Sequence, residues 1–114
     1  MIAAATIEQI LAQYKKHGWR LSRVLLSAGL RGSLADPASL FGDVPLAASD
    51  LDAAWFSRSS RPGSVAWEIR HLSNTPFAIV VAINDGTAAE AAEAVLSDAE
   101  ERMRSAVAGR PASD

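Results

Sequence analysis

Residues 53–83 contain three apolar segments of strand length, separated by two groups of turn-forming residues. The middle segment, VAWEIRHL at 65–72, alternates with the period of two that a β-strand requires. One face carries Val65, Trp67, Ile69 and His71, and the other carries Ala66, Glu68, Arg70 and Leu72. Pro62-Gly63 precedes this segment and Ser-Asn-Thr-Pro at 73–76 follows it, and both groups favour turns. The pattern predicts consecutive antiparallel strands, so the core must be built around a sheet.

The third segment, FAIVVAI at 77–83, is apolar on both of its faces. Strands of this kind normally lie where other elements cover both sides of the sheet. We therefore expect it in the middle of the sheet or against a partner. By alternation, Val80 lies on the strand face opposite Phe77, Ile79 and Val81.

A helix near the N-terminus is indicated by the spacing of its apolar residues. The predicted apolar face consists of Ile7, Ile10, Leu11 and Tyr14. Thr6 and Gln9 have the spacing of a capping box, which predicts that Thr6 caps the helix. Gly18 suits the left-handed position just after a helix, and Trp19 is expected to fold back on the last turn.

A second long helix is predicted near the C-terminus. Its apolar stripe consists of Ala92, Val95, Leu96, Ala99, Met103, Ala106 and Val107. Two oppositely charged pairs have the i, i+4 spacing that favours contact on a helix, namely Asp98 with Arg102 and Glu100 with Arg104. Thr87 and Glu90 predict a capping box at its start, and Gly109 and Pro111 are expected to end it.

The region between the first helix and residue 50 combines one strand-like segment with a long link. Residues 19–27, WRLSRVLLS, fit either a strand or a short helix, and the stop signal at Gly18 favours a strand. Residues 28–50 form the link. Within it, Asp36 and Pro37 predict the start of a short helix that ends at Gly42.

These elements predict an α+β fold with the order α-β-(short α)-β-β-β-α. We expect two layers: a four-stranded, mainly antiparallel sheet, with an N-terminal and a C-terminal helix on one face. The length of 114 residues fits one domain over 1–114. Residues 1–5 and 110–114 are expected to be frayed tails.

A sheet with its helices on one face leaves the second face to be explained, because segment 77–83 is apolar on both sides. In one interpretation, the apolar residues of the 28–50 link fold over that face. In the other, the face is an interface with a protein partner or a second copy of the chain. Both interpretations stay open at this point.

Aromatic and basic residues are concentrated between Trp55 and His71. A two-residue turn at Pro62-Gly63 would place Trp55 opposite Arg70, in a cation–π arrangement. A turn one residue longer changes the parity and places Trp55 beside Trp67. The candidate ligand- or partner-binding residues are Trp55, Arg58, Arg61, Arg70 and His71. The competing interpretation makes one tryptophan part of the core and the arginines a solvated face.

Charge and composition restrict the function classes. The net charge of −2 and the pI of about 5.6 argue against a nucleic-acid partner. No apolar run reaches the roughly 20 residues of a membrane span, and the start, MIAAATIEQI, lacks the features of a signal peptide. We therefore expect no membrane partner and a cytoplasmic location. Lysine occurs only at 15 and 16 while arginine is frequent, which suggests a GC-rich bacterial genome.

Catalytic motifs for metalloproteases, P-loop enzymes, dinucleotide-binding enzymes and serine hydrolases are missing. The absence of cysteine excludes thiolate metal sites, and no metal or cofactor is expected. We therefore predict a non-catalytic binding or protein-interaction module, with a homodimer through the sheet as one form of it. The alternative is a small-molecule binder or enzyme with a pocket between the sheet and the 28–50 link. Arg58, Arg70 and His71 would there converge on an anionic ligand.

Overall fold

The computed structural model describes residues 1–109 of the chain. Its helices and strands, in chain order, are α1 (Ala4–Lys16), β1 (Arg20–Leu26), α2 (Ala28–Ser33), α3 (Pro37–Phe41), β2 (Leu46–Ala48), β3 (Ala53–Ser59), β4 (Ser64–His71), β5 (Ala78–Asn84) and α4 (Ala89–Ala108). The α+β class and the helices near both ends are confirmed. The strand predicted at 19–27 is also confirmed, as β1.

The sheet has five strands in the order β2-β1-β3-β4-β5. Four strands were predicted, and the one that was missed is β2, which lies inside the 28–50 link. β2 runs parallel to β1, with Val24 paired with Leu46, whereas the other neighbouring pairs are antiparallel. Its three residues are too few to show any alternation, so only pairing with β1 identifies them as a strand.

Helices cover both faces of the sheet, so the predicted two-layer arrangement is wrong. On the α1 face, helices α1, α2 and α3 pack over a cluster of buried residues: Ile2, Ile7, Val24, Leu26, Leu30, Leu34, Phe41, Ala54, Phe56 and Leu72. On the α4 face, helix α4 packs over a second cluster: Leu25, Leu51, Ala53, Trp55, Ile69, Leu96, Ala99 and Met103. The physical reason lies in β1 and β3, whose consecutive residues are buried alternately on the two faces.

Strand β5 forms one edge of the sheet. Of the two positions predicted for it, in the middle of the sheet or against a partner, the first is therefore wrong. Ile79 and Val81 pack into the cluster of the α4 face. Val80 points to the opposite side, as the alternation predicted, and 59% of its surface is exposed. Segment 77–83 is thus covered on one face only.

Helix α1 begins earlier than predicted. Thr6 was expected to cap it, but the N-cap is Ala3, which provides no side-chain hydrogen bond. The three alanines at 3–5 continue the helix toward the N-terminus because alanine has the best helix propensity. Residues 1–5 were expected to be frayed, yet Ile2 is buried in the cluster of the α1 face.

Helix α4 also starts differently from the prediction. Its N-cap is Ala88, and the hydroxyl of Thr87 donates instead to the carbonyl oxygen of Asn84 at 2.6 Å. The described part of the helix ends at Ala108 with Gly109 as its C-cap. Pro111 and the predicted tail at 110–114 lie outside the described residues.

The stop signals in the first half of the chain are confirmed. Gly18 adopts the left-handed conformation, with φ of 84°, after α1. The backbone N–H of Trp19 donates to the carbonyl oxygen of Tyr14 at 3.0 Å, so the chain folds back as predicted. Asp36 caps α3 by accepting from the N–H of Ser39. The turn at Gly18 and Trp19 brings the chain from α1 into β1.

The charged pairs of α4 are partly as predicted. Arg102 and Asp98 form an ion pair at 3.2 Å, whereas Glu100 does not pair with Arg104. Glu100 accepts a hydrogen bond from Trp55, and Arg104 pairs with Asp50 at 2.8 Å. Two members of the predicted apolar stripe, Val95 and Ala106, are exposed. No helix among residues 1–109 is long and apolar enough to cross a membrane.

Candidate functional site

The β3–β4 hairpin has the longer of the two turns considered from the sequence. Ser59 pairs with Val65, and the backbone N–H of Ser60 donates to the carbonyl oxygen of Ser64, so the loop between the last bonded pair consists of the three residues 61–63. This register places Trp55 and Trp67 on the same face, where their rings meet edge to face with centroids 6.2 Å apart. Of the two registers left open by the sequence, the one with Trp55 beside Trp67 is confirmed. The one with Arg70 stacked on Trp55 is wrong, because those two side chains lie on opposite faces of the sheet.

Trp55 is fully buried on the α4 face. Its indole Nε1 donates to the Glu100 carboxylate at 2.7 Å, which satisfies the one polar atom of the ring. The residue therefore anchors α4 to the sheet and presents no surface to a ligand.

Arg58 and Arg61 lie at the end of the hairpin that is far from Arg70. The guanidinium of Arg58 stacks over the Trp19 ring at 4.4 Å, and its Nη1 donates to the carbonyl oxygen of His17 at 2.9 Å. A cation at the C-terminal end of α1 is favoured by the helix dipole, so Arg58 ties β3 to α1. Arg61 is exposed in the loop.

Arg70 and His71 are neighbours in β4 and therefore point to opposite faces. Arg70 is half-buried on the α1 face beside Glu68, and this burial lowers the pKa of its guanidinium. His71 lies on the α4 face, where its Nδ1 is 3.0 Å from the hydroxyl of Ser73. The five predicted site residues thus divide between the two faces and the loop, and they do not converge on one ligand.

A cavity of about 310 Å³ lies near His71, between the start of the chain, Leu30 and Asp52. Both carboxylate oxygens of Asp52 accept hydrogen bonds from Ser27, from its backbone N–H and from its hydroxyl. The Ser73 hydroxyl donates to the carbonyl oxygen of Thr75, so it accepts from His71. Its proton therefore points away from the histidine, which is the wrong direction for a serine nucleophile activated by a base.

A different surface stands out in the structure, on the α1 face where no helix covers β4 and β5. We call it the β4–β5 patch. Its cross-strand pairs are Ala66 with Ala82, Glu68 with Val80, and Arg70 with Ala78. The β5 members are exposed and the β4 members are half-buried. The patch therefore has an outer row of apolar residues on β5 and an inner row on β4 that contains the charged residues Glu68 and Arg70.

The inner row adjoins a cleft of about 290 Å³ between α1 and β4, bounded by Gln9, Gln13, Tyr14 and Arg70 among others. The Tyr14 hydroxyl donates to the Glu68 carboxylate, and its ring stacks on Phe56 with centroids 3.9 Å apart. Burial and this hydrogen bond raise the pKa of Tyr14 well above its ordinary value. The Tyr14 ring thus packs on the core at the margin of the patch, and its hydroxyl fixes the position of the Glu68 carboxylate.

Sequence reasoning did not assign Tyr14 or Glu68 to a site. Tyr14 was interpreted only as part of an apolar helix face, and Glu68 only as a residue that shares one face of its strand with Arg70. The sequence contained one signal of this surface, namely the alanines at 78 and 82, which share a strand face with Val80. Its meaning depends on β5 being an edge strand, which is a tertiary property.

Residues 1–109 contain no group of histidine, aspartate and glutamate side chains arranged to hold a metal ion. Comparison with protein-family models, with curated proteins and with solved structures finds no match to this chain.

Proposed function

We propose that this chain is a non-catalytic protein-interaction module of the bacterial cytoplasm, and that it binds protein through the β4–β5 patch and the adjoining edge of β5. The observation that carries the proposal is the exposure of Val80. It has 59% of its surface exposed at the third position of an edge strand whose residues 78–83 are all apolar. Covering it would contribute on the order of 1 kcal/mol to a complex.

The edge of β5 supports the same proposal. Natural proteins usually protect edge strands with charged residues, proline, bulges or covering elements. Residues 78–83 contain neither charge nor proline, and β5 pairs with β4 without a register shift. An unprotected edge of seven residues is a ready template for an added strand.

The composition of the patch also supports an interface. Val80 and its two alanine neighbours provide an apolar centre, and Glu68 and Arg70 beside it provide charged groups. Protein interfaces combine an apolar core with a polar rim in this way. The half-buried position of the two charged side chains restricts their conformations, which favours selective over indiscriminate contact.

The interaction module is favoured over the anionic-ligand pocket by the position of the predicted ligand residues. Arg70 and His71 point to opposite faces, and Arg58 is engaged with Trp19 and His17. The apolar residues of the 28–50 link pack on the α1 face beside α1, where they leave the β4–β5 patch bare.

The absence of cysteine from the chain makes a direct test practical. Val80→Cys introduces a single thiol in the patch, and Arg61→Cys introduces a matched control in the exposed β3–β4 loop. The rate of maleimide labelling is measured for dilute purified protein and for the same variants in their source cells.

We expect the Val80→Cys variant to be labelled several-fold more slowly in cells than in dilute solution, because a protein covers the patch there. The Arg61→Cys control is expected to react at similar rates in both. Equal rates for Val80→Cys in the two conditions, with an equally reactive control and a purified protein that is monomeric at the dilution used, contradict the proposal.

A further inference from the structure

We infer that the protein bound at this surface is a second copy of the chain, joined through antiparallel pairing of β5 with the partner's β5 around a two-fold axis at Val80. This inference rests on the proposed function, since it names the occupant of the same surface. The result would be one continuous sheet with the two α4 helices side by side on one face.

The backbone hydrogen bonds of β5 determine which of its groups are available. The N–H of His71 donates to Phe77, and the N–H of Asp85 donates to Gly63, so the odd-numbered residues of β5 face β4. The N–H and C=O groups of the even-numbered residues therefore point outward from the edge. These residues are Ala78, Val80, Ala82 and Asn84.

Asn84 does not take part in this pairing, because its carbonyl oxygen accepts from both the backbone N–H and the hydroxyl of Thr87. The outward-facing groups of Ala78, Val80 and Ala82 remain available. Only one two-fold register pairs all three of these residues, with Val80 opposite the partner's Val80 and Ala78 opposite the partner's Ala82. Each pair in that register exchanges two hydrogen bonds.

The side chains fit the same register. Ala78, Val80 and Ala82 form a sequence that is identical in both directions on the outer face. Small residues therefore meet small residues and valine meets valine. On the α4 face, Ile79 lies opposite the partner's Val81, which is a favourable pair of β-branched side chains. No like charges oppose each other along the edge.

Helix α4 supplies an independent observation. One of its flanks faces β1 and β3, because Glu93, Glu100 and Arg104 contact Arg23, Trp55 and Asp50. The opposite flank faces the open edge of β5. It carries Val95, Asp98 and Arg102. Val95 is 37% exposed although it belongs to the apolar stripe, so this flank leaves a hydrophobic residue without cover.

The charges on this flank suit an antiparallel copy. A two-fold axis perpendicular to the sheet makes the two α4 helices antiparallel and places them on the same face of the joined sheet. Val80 lies about 13 Å from Asn84 along β5, which corresponds to about nine residues along α4 from Ala89. The axis therefore passes near Asp98 and Arg102, and each can meet the opposite charge of the partner helix.

The dimer is closed, because the other edge of the sheet cannot repeat the contact. β2 has three residues, is preceded by Pro45 and pairs in parallel with β1. A two-fold contact through β5 uses the same surface on both copies and leaves no equivalent edge for growth. An extended peptide from another protein would use the edge of β5 as well, but it would leave Val95 and the charged flank of α4 unexplained.

Disulfide trapping in purified protein tests the register. Residues directly opposite in a hydrogen-bonded antiparallel pair have Cα atoms about 5.5 Å apart, within the range of about 4.4–6.8 Å that a disulfide spans. We expect Val80→Cys to form a covalent dimer on mild oxidation. Ala82→Cys alone should not, because its two copies would lie about 13 Å apart. A mixture of Ala78→Cys and Ala82→Cys should cross-link.

Light scattering after size exclusion accompanies the trapping, with wild type expected at twice the 12.0 kDa mass of one chain. A monomer at all concentrations overturns the inference, and so does cross-linking of Ala82→Cys alone as fast as Val80→Cys. Polydisperse aggregates also overturn it. A monomer whose Val80→Cys variant is nevertheless protected in cells shows that a different protein binds, so the interaction module stands without the second copy. Equal labelling in cells together with a monomer contradicts both proposals.

Discussion

The two halves of the α1 face differ in how the chain covers them. Over β1 and β3, the helices α1, α2 and α3 bury a continuous apolar cluster, and the edge strand β2 is short and follows Pro45. Over β4 and β5 no helix packs, the edge strand has seven residues, and its Val80 is exposed. Helices thus cover one half of this face and leave the other half open to solvent. Both halves contain apolar strands, so the exposure of Val80 follows from the position of β5 at the edge of the sheet and not from its composition.

The largest expected effect is in the covered half. Phe56 is buried on the α1 face and stacks on Tyr14. We expect Phe56→Ala to lower the free energy of unfolding by about 3–5 kcal/mol, because the site loses buried area and gains a cavity. Val80→Ala should change the unfolding free energy of the monomer by less than about 0.5 kcal/mol. Urea denaturation of both variants at low protein concentration makes the comparison, and similar losses would show that the two halves do not differ.

The next effect concerns association. Val80→Glu would place two carboxylates opposite each other at the proposed two-fold axis and bury them without a partner, which costs about 2–5 kcal/mol. We expect the dissociation constant of the dimer to rise at least about 30-fold, because 1.4 kcal/mol corresponds to a factor of ten.

Far-UV circular dichroism and the melting temperature provide the control for this variant. The new carboxylate also lies opposite Glu68 in the same chain, and this repulsion should lower the stability of the monomer by at most about 1 kcal/mol, so the fold should persist. A folded Val80→Glu variant that remains dimeric would show that the dimer interface lies outside the patch.

A charge exchange on α4 should have a smaller effect. Asp98 and Arg102 are both largely exposed, with 72% and 54% of their side-chain surface accessible. Asp98→Arg or Arg102→Asp alone would bring like charges together across the proposed axis, and we expect each to weaken the dimer by about 1 kcal/mol.

The double variant Asp98→Arg with Arg102→Asp restores the pattern in reverse and should recover most of the affinity. Sedimentation equilibrium measures all three variants. If the double variant is weakened by the sum of the single effects, the two residues do not meet their opposites in the partner.

A stability effect of similar size lies at the boundary between the two halves. Tyr14→Phe removes the hydrogen bond to Glu68, and we expect a loss of about 1–2 kcal/mol at neutral pH. The pKa of Tyr14 is raised in the folded state, so its contribution is complete below the unfolded value of about 10 and declines as the pH rises through the higher folded value. The stability difference between wild type and variant should therefore shrink above about pH 10. Denaturation at several alkaline pH values checks this, and a constant difference contradicts it.

Much of the secondary structure could be predicted from local patterns. The alternation of residues 65–72, the stop at Gly18 and the cap at Asp36 depend on neighbours in the chain, and all three are confirmed. The starts of α1 and α4 were predicted from capping boxes and are wrong. Alanines extend α1 beyond Thr6 without a side-chain cap, whereas α4 begins one residue later than predicted, because the Thr87 hydroxyl donates to Asn84. Local chemistry therefore located the elements better than it located their ends.

The candidate site was predicted less well. The five residues from Trp55 to His71 were grouped because they are close in sequence, but the hairpin register separates them. Whether Trp55 faces Arg70 or Trp67 depends on one residue of turn length, and alternation then carries that choice along both strands.

By itself, the sequence determined that this chain forms an α+β domain with a meander of strands, helices near both ends, and more apolar strand surface than two helices can cover. Only the tertiary structure decided that β5 lies at an edge, that α1 and α4 pack on opposite faces, and that the 28–50 link completes the α1 side. The physical reason is that periodicity reports which residues of an element are apolar, whereas strand order depends on which surfaces meet when distant segments pack. Val80 acquires its meaning from that packing, because the same valine in a central strand would be part of the core.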